Sequence, residues 1–180
     1  MAVMTGKVVS DSESIREAIT RITRQILDRN STCRDLKVIG VRTRGVHLAE
    51  RISERIEEIA GSRPELGVVD ITLYRDDVRR KSEWPKVKRT DINFSVENKN
   101  VVLVDDVIYT GRSSRAAMET VMDYGRPNSI QLAVLVDRGH RELPIQPDYV
   151  GFTLDTYPGQ RVIVHLKELD SKDEVLVVEE

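Results

Sequence analysis

The chain has 180 residues, of which 32% are charged and only 4% aromatic, with a formal net charge of −2 and a pI near 6.0. That is enough chain for one domain with a complete core; the composition excludes a disordered polymer, and the charge excludes a global basic field, so any contact with nucleic acid must use a local patch. A lone Cys33 and three scattered histidines, His47, His140 and His165, exclude a disulfide framework and argue against a zinc centre. No apolar run reaches 18 residues and the opening residues lack a signal-peptide pattern, so a cytoplasmic protein that does not cross a membrane is expected.

The first predicted element is a helix over residues 14–30. Ile15, Ile19, Ile22 and Ile26 recur at helical spacing, and Ser14 with Glu17 has the form of a capping box. "LKVIGV" (36–41) reads as a buried strand that runs through "RTRG" into a second helix. That helix is expected to turn Leu48, Ile52, Ile56 and Ile59 inward and to stop at Gly61. "LGVVDITLY" (66–74) is the next strand. Residues 75–94 show neither period, and a loop of that length in a small domain usually carries function. "VVLV" (101–104) reads as a strand, Ser113 to Tyr124 as a helix ending at Gly125, and "IQLAVLV" (130–136) as another strand. "RVIVHL" and "EVLVVE" are strand candidates near the end. Alternation of strand and helix implies right-handed crossovers and a mainly parallel sheet flanked by helices. Ligands of such α/β sheets bind beyond the strands' carboxyl ends, so "RTRG", "DDVIYTGRSS" and "DRGHRELP" are expected to face one crevice.

The most informative stretch is "VVLVDDVIYTGRSS" (101–114). Placed at the end of a strand, Asp105 and Asp106 can accept hydrogen bonds from vicinal sugar hydroxyls or hold a hydrated Mg²⁺. Thr110, Gly111, Arg112, Ser113 and Ser114 form a turn into a helix, where backbone N–H groups and hydroxyls make a phosphate cradle. Together they suit a ribose 5-phosphate. A plain turn and helix start is the alternative for such a segment taken alone. A P-loop ATPase is excluded because no G-x-x-x-x-G-K-[ST] occurs, and no G-x-G-x-x-G supports a dinucleotide fold. A response regulator would carry its acidic pair near the start of the chain.

Residues 101–113 resemble the phosphoribosyl-pyrophosphate (PRPP) signature of the type I phosphoribosyltransferases. More narrowly, "IGVRTRG" (39–45), "DITLYRDD" (70–77), "VLVDDVIYTGR" (102–112) and "QLAVLVDRGHRELPI" (131–145) together resemble the PyrR family, pyrimidine operon attenuators with uracil phosphoribosyltransferase activity. The resemblance implies a single phosphoribosyltransferase domain over 1–180. In it 75–94 forms a lid, and about 137–180 with the N-terminal segment forms a hood. It implies the conversion of uracil and PRPP to UMP and diphosphate with Mg²⁺.

The resemblance also distributes roles. Thr43, Arg44 and Gly45 are expected at the diphosphate. Asp105 and Asp106 are expected at the ribose hydroxyls, directly or through PRPP-bound Mg²⁺, in a PRPP/UMP-binding run that continues through Val107, Ile108, Tyr109, Thr110, Gly111, Arg112, Ser113 and Ser114. Arg75 is the catalytic candidate of the lid, whose seven Lys/Arg against four acids suit a polyanion. Val136, Asp137, Arg138, His140 and Val162 are expected around the base. Val136–Leu143 contains no lysine, which disfavours hypoxanthine or guanine. Regulation implies a pyrimidine-operon leader mRNA as partner, UMP as co-repressor, and a homo-oligomer. Candidate RNA contacts are Arg16, Thr20, Arg21, Arg24 and Arg29 on the first helix, with Arg141. Relatives tend to read G-K-N-x-P-T-S where this chain has "GFTLDTYPGQ" (151–160), so uracil salvage without RNA binding is one rival. A regulator that keeps the pocket only as a sensor is the other.

Overall fold

The computed structural model describes residues 6–30, 33–71 and 90–179. The elements run β1 (Lys7–Ser10), α1 (Ser12–Arg29), a 3₁₀ turn (Cys33–Asp35), β2 (Leu36–Val41), α2 (Arg44–Ala60), β3 (Glu65–Val69), β4 (Asn100–Ile108), α3 (Arg112–Met122), β5 (Ser129–Asp137), β6 (Tyr149–Thr153), β7 (Gln160–His165), α4 (Lys167–Asp170) and β8 (Glu174–Glu179). Five parallel strands form the main sheet in the order β3-β2-β4-β5-β6, and an antiparallel sheet β1-β8-β7 stands apart from it. The fold class is therefore the expected α/β one.

Side chains of the central strands alternate between two cores, as the period of two requires. Val102, Val104, Ala133 and Leu135 pack with α1 and α2, and the small sheet adds Val162, Val164 and Val175 to the same cluster. Val101, Leu103, Leu132 and Val134 face the other way, onto Ala116, Ala117 and Val121 of α3 and onto Ile92 and Val96. The isoleucine stripe of α1 is buried throughout. At about 1.5–3 kcal/mol for each side chain taken from water, that stripe is what holds α1 to the sheet.

Four local readings are corrected. α1 starts at Ser12, and its N-cap is Asp11, whose carboxylate accepts from Ser14 N at 2.9 Å; Ser14 lies inside the helix. Ile59 is 49% exposed in the last turn of α2, outside the apolar face that Leu48, Ile52 and Ile56 bury. β4 does not stop at Val104 but continues to Ile108, because its backbone goes on pairing with β5 as far as Ile108↔Asp137. α3 accordingly begins at Arg112, one residue earlier than expected, and ends at Met122. β1 and β6 had no separate strand signal. Of the expected lid, Asp91 forms a backbone pair with Val68, while Arg75 lies outside the described residues.

Candidate active site

A cleft of about 570 Å³ opens over the carboxyl ends of β2 and β4, roofed by β7. Arg44, the continuous run Asp105–Gly111, Ser113, Ser114, Arg138 and Val162 line it, so residues from all three expected polar segments reach one crevice. Thr43, Gly45, Arg112, Val136, Asp137, His140 and Arg141 are not among its lining residues. Gly159, Gln160 and Arg161 of the β7 edge also line it and were not anticipated. Nothing local in "GQR" signals a site, since its position depends on which strands the small sheet pairs.

Two glycines set the start of α2 close to the sheet. A Cβ on Gly40 would lie 2.5 Å from Val46 Cα, and one on Gly45 would lie 2.4 Å from Val104 O. The helix backbone therefore rests directly on β2 and β4, beside the β4 carboxylates. The Arg42–Thr43 peptide is cis, and Arg42 N donates to Val69 O at 2.9 Å. Thr43 caps α2 without a side-chain bond to the helix. The first N–H groups of a helix have no acceptor within it, so this end is an open set of donors with a partial positive charge.

The start of α3 offers a second such end. Gly111 is its N-cap at φ +90°, a conformation that favours glycine, and Thr110 Oγ1 accepts from Arg112 N at 3.3 Å. Thr110 O also accepts from Glu142 N and Leu143 N at 2.9 and 3.1 Å, which ties the turn to the 138–145 loop. Thr110 and Ser114 are buried, whereas Arg112 turns outward to pair with Glu142 at 2.6 Å. Between the two helix ends stand Asp105 and Asp106. Asp105 is 8% exposed, and its Oδ1 accepts from Asp106 N at 2.9 Å.

Beyond β5 the chain is held by arginines. Arg138 is buried, lies 4.1 Å over the Tyr109 ring, and donates to Thr156 Oγ1 and Gln160 O at 3.3 and 2.7 Å. Arg141 pairs with Asp137 at 2.6 Å and donates to Tyr109 O and Ile145 O at 3.0 and 2.9 Å. Its side chain is only 14% exposed, so it fastens the loop from inside rather than standing on the outer surface. His140, at φ +59°, holds Thr156 O at 2.7 Å from Nε2; a carbonyl only accepts, so Nε2 carries the hydrogen. Val136 is fully buried within β5.

The α1 candidates divide. Arg21 donates to Gly151 O on the edge strand β6, Arg29 pairs with Asp148, and Arg16 pairs with Glu13. Thr20 Oγ1 accepts from Arg55 at 3.2 Å. Arg24 is exposed and carries no ion pair among the described residues. No group of three or more metal-ligating side chains occurs among the described residues.

The Phosphoribosyl transferase domain model matches residues 8–169, a stretch that contains both helix starts and the two acids. The chain is 49% identical over 174 residues to the Bifunctional protein PyrR of Bacillus velezensis, covering 96% of each chain. It is 50% identical over 171 residues to that of Pelotomaculum thermopropionicum, covering 95% of this chain and 94% of the relative. The chain belongs to the PyrR family. Among solved structures, a hypoxanthine phosphoribosyltransferase of Trypanosoma cruzi in complex with IMP is similar at a TM-score of 0.74, with 17% identity over 99% of this chain and 93% of that one, a likeness of fold. The type I phosphoribosyltransferase fold is thus the observed one. No helix among the described residues is long and apolar enough to cross a membrane.

Proposed function

We propose that the chain transfers the phosphoribosyl group of PRPP to uracil, giving UMP and diphosphate, and binds pyrimidine-operon leader mRNA when UMP is bound. One observation carries the catalytic half: two open helix N-termini flank a pair of carboxylates in a single cleft. PRPP has two anionic groups separated by a polyhydroxylated ring, which is the matching pattern. The start of α3, with Thr110, Ser113 and Ser114, receives the 5-phosphate. The start of α2, with Thr43, Arg44 and Gly45, receives the diphosphate. Asp105 and Asp106 take the ribose hydroxyls between them.

The C1–O bond to diphosphate breaks, its electron pair leaving with the diphosphate, as the bond from uracil N1 to C1 forms, and the N1 proton ends on the departing diphosphate. Positive charge develops on the ribose, as in glycoside chemistry, and the neighbouring carboxylates oppose it favourably. The rest of the work is positioning. The donor set suits Mg²⁺ that arrives with PRPP. That ion binds through one or two carboxylates plus substrate phosphates rather than in a protein cage, and two carboxylates are what this cleft supplies. When bound, it would be held by Asp105 and Asp106 with substrate oxygens and would neutralise charge on the departing diphosphate. Tyr109 and Arg138, stacked on each other, and Val162 line the cleft and supply the walls for a flat base. The three-stranded sheet acts as the hood, and 75–94, with Arg75, acts as the lid.

For the regulatory half, the relatives' name states two functions, and α1 exposes Arg24 near Arg21 and Arg29, which are themselves exposed but bonded to Gly151 O and Asp148. RNA recognition needs such a local basic face. Formation of UMP from labelled uracil and PRPP, compared with hypoxanthine, tests the first half. Uracil turnover with none for hypoxanthine is expected; the reverse preference, or no turnover, removes the assignment. Titration of leader RNA with and without UMP tests the second, with tightening by UMP expected.

A further inference from the structure

Arg44 enters the cleft from the first residue of α2, yet its guanidinium is already held. Its Nη2 donates to both carboxylate oxygens of Asp170, at 3.1 and 3.2 Å, across the gap to α4 of the small sheet. Asp170 is fixed in turn, because its Oδ2 accepts from Leu166 N at 2.9 Å and Leu166 is fully buried. Burial raises the proton affinity of Asp170, but the Leu166 N–H and the Arg44 guanidinium outweigh it and hold the carboxyl below its ordinary range. Two turns further along α2, Arg51 donates to Glu168 at 2.8 and 2.6 Å and to Asp173 at 3.0 and 2.7 Å. The α4 turn is therefore stapled to α2 at two points, and Asp170 has no freedom to follow a wandering arginine. Among the described residues Arg44 Nε is buried without a hydrogen-bond partner and Nη1 makes no hydrogen bond, while the side chain lines the cleft.

We infer that Asp170 is a positioning residue: it holds the Arg44 guanidinium in one orientation so that its remaining N–H groups meet the diphosphate of PRPP. This rests on the reading of the α2 start as the diphosphate site. A free arginine side chain has a large rotamer entropy, about 2 kcal/mol, and fixing it beforehand removes that cost from binding, roughly a 10- to 30-fold gain in affinity. The Asp170 charge opposes a diphosphate, but it is shared between Arg44 and the Leu166 N–H, so pre-orientation outweighs repulsion.

The test is calorimetric titration of Mg²⁺-diphosphate, and separately of UMP, into the full chain and its Asp170→Ala, Asp170→Asn and Arg44→Gln variants, with PRPP kinetics alongside. Asp170→Ala is expected to weaken diphosphate about tenfold and raise KM for PRPP more than it lowers kcat, while UMP, which lacks the diphosphate, binds as before. Asp170→Asn, whose amide oxygen still accepts from Arg44, recovers part of the loss. If Arg44→Gln weakens diphosphate and Asp170→Ala does not, positioning is refuted while the diphosphate site stands. Tighter diphosphate binding in Asp170→Ala makes Asp170 a competitor and overturns the inference, as does a parallel loss of UMP and diphosphate. Unchanged diphosphate binding in Arg44→Gln removes the underlying site and the inference with it.

Discussion

Gly45→Ala separates geometry from helix propensity. In an unstrained helix position alanine is favoured over glycine by up to about 1 kcal/mol. At Gly45 the added Cβ would lie 2.4 Å from Val104 O and 3.1 Å from Asp105 Cα, both backbone atoms of the central strand that no rotamer change can move aside. The start of α2 must retreat by roughly 0.6 Å or more, and overpacking of this kind costs about 1–3 kcal/mol. The clash therefore outweighs the propensity gain over most of this range, with a net loss of up to about 2 kcal/mol, or up to roughly 8 °C in Tm for a domain of this size. Activity is more sensitive, because displacements approaching 1 Å at a positioning element cost up to about 100-fold. Steady-state kinetics should show a raised KM for PRPP, and UMP titration little change. Gly61→Ala is the control: at φ +71°, with nothing within 4 Å of the new Cβ, it should lower Tm through backbone strain and leave PRPP kinetics alone. A Gly45→Ala protein with undiminished Tm and normal PRPP kinetics would refute the argument.

Asp105→Asn keeps a carbonyl oxygen for the Asp106 N–H, so far-ultraviolet circular dichroism and Tm should stay near normal while PRPP turnover drops about 100-fold or more. The same drop is expected for Asp106→Asn, and normal turnover in both removes the ribose assignment. Arg141→Gln breaks a largely buried pair and leaves Asp137, Tyr109 O and Ile145 O short of a donor, a loss of about 3–5 kcal/mol in urea unfolding together with weaker UMP binding. Wild-type stability with RNA binding alone lost would instead put Arg141 on the RNA surface. Arg51 holds Glu168 below its ordinary 4.5; for Asp173, burial raises the pKa, but Arg51 and the Lys167 N–H bring it below its ordinary 3.8. A carboxyl depressed on folding contributes stability that is complete above its unfolded value and fades as pH falls through the folded one. Unfolding measured from pH 6 to pH 3 should therefore weaken chiefly below about pH 4.5 in the wild type, and less steeply in Arg51→Ala. Parallel profiles would show that the clamp does not report on pH.

What was legible in the chain was local or repetitive. "LKVIGV" forms β2 over the residues read, since an apolar run between polar turns has few other uses in an α/β protein. The α1 stripe was legible because four isoleucines at helical spacing leave one face to bury. The acid pair with Thr110, Gly111, Ser113 and Ser114 could be placed at the crevice from position, but the outward turn of Arg112 could not. Illegible features depended on partners distant in sequence. β4 outruns its apolar stretch because β5 keeps pairing with it, and no property of "DDVI" announces that. β1 is a strand only through β8, and Arg161 reaches the cleft only because β7 lies at the open edge of the small sheet. Arg141 looked like a surface cation, and only its closeness to Asp137, Tyr109 O and Ile145 O turns it inward. Arg44 was expected at the crevice, but its pairing with Asp170, 126 positions away, was equally illegible.

The most direct test of the central claim is a crystal structure of the protein with UMP and Mg²⁺-diphosphate. The expected structure has the 5-phosphate on the N–H groups of Ser113 and Ser114, the ribose hydroxyls at Asp105 and Asp106, and the diphosphate at Thr43–Gly45. A nucleotide seated elsewhere, or a diphosphate held away from the start of α2, would contradict it.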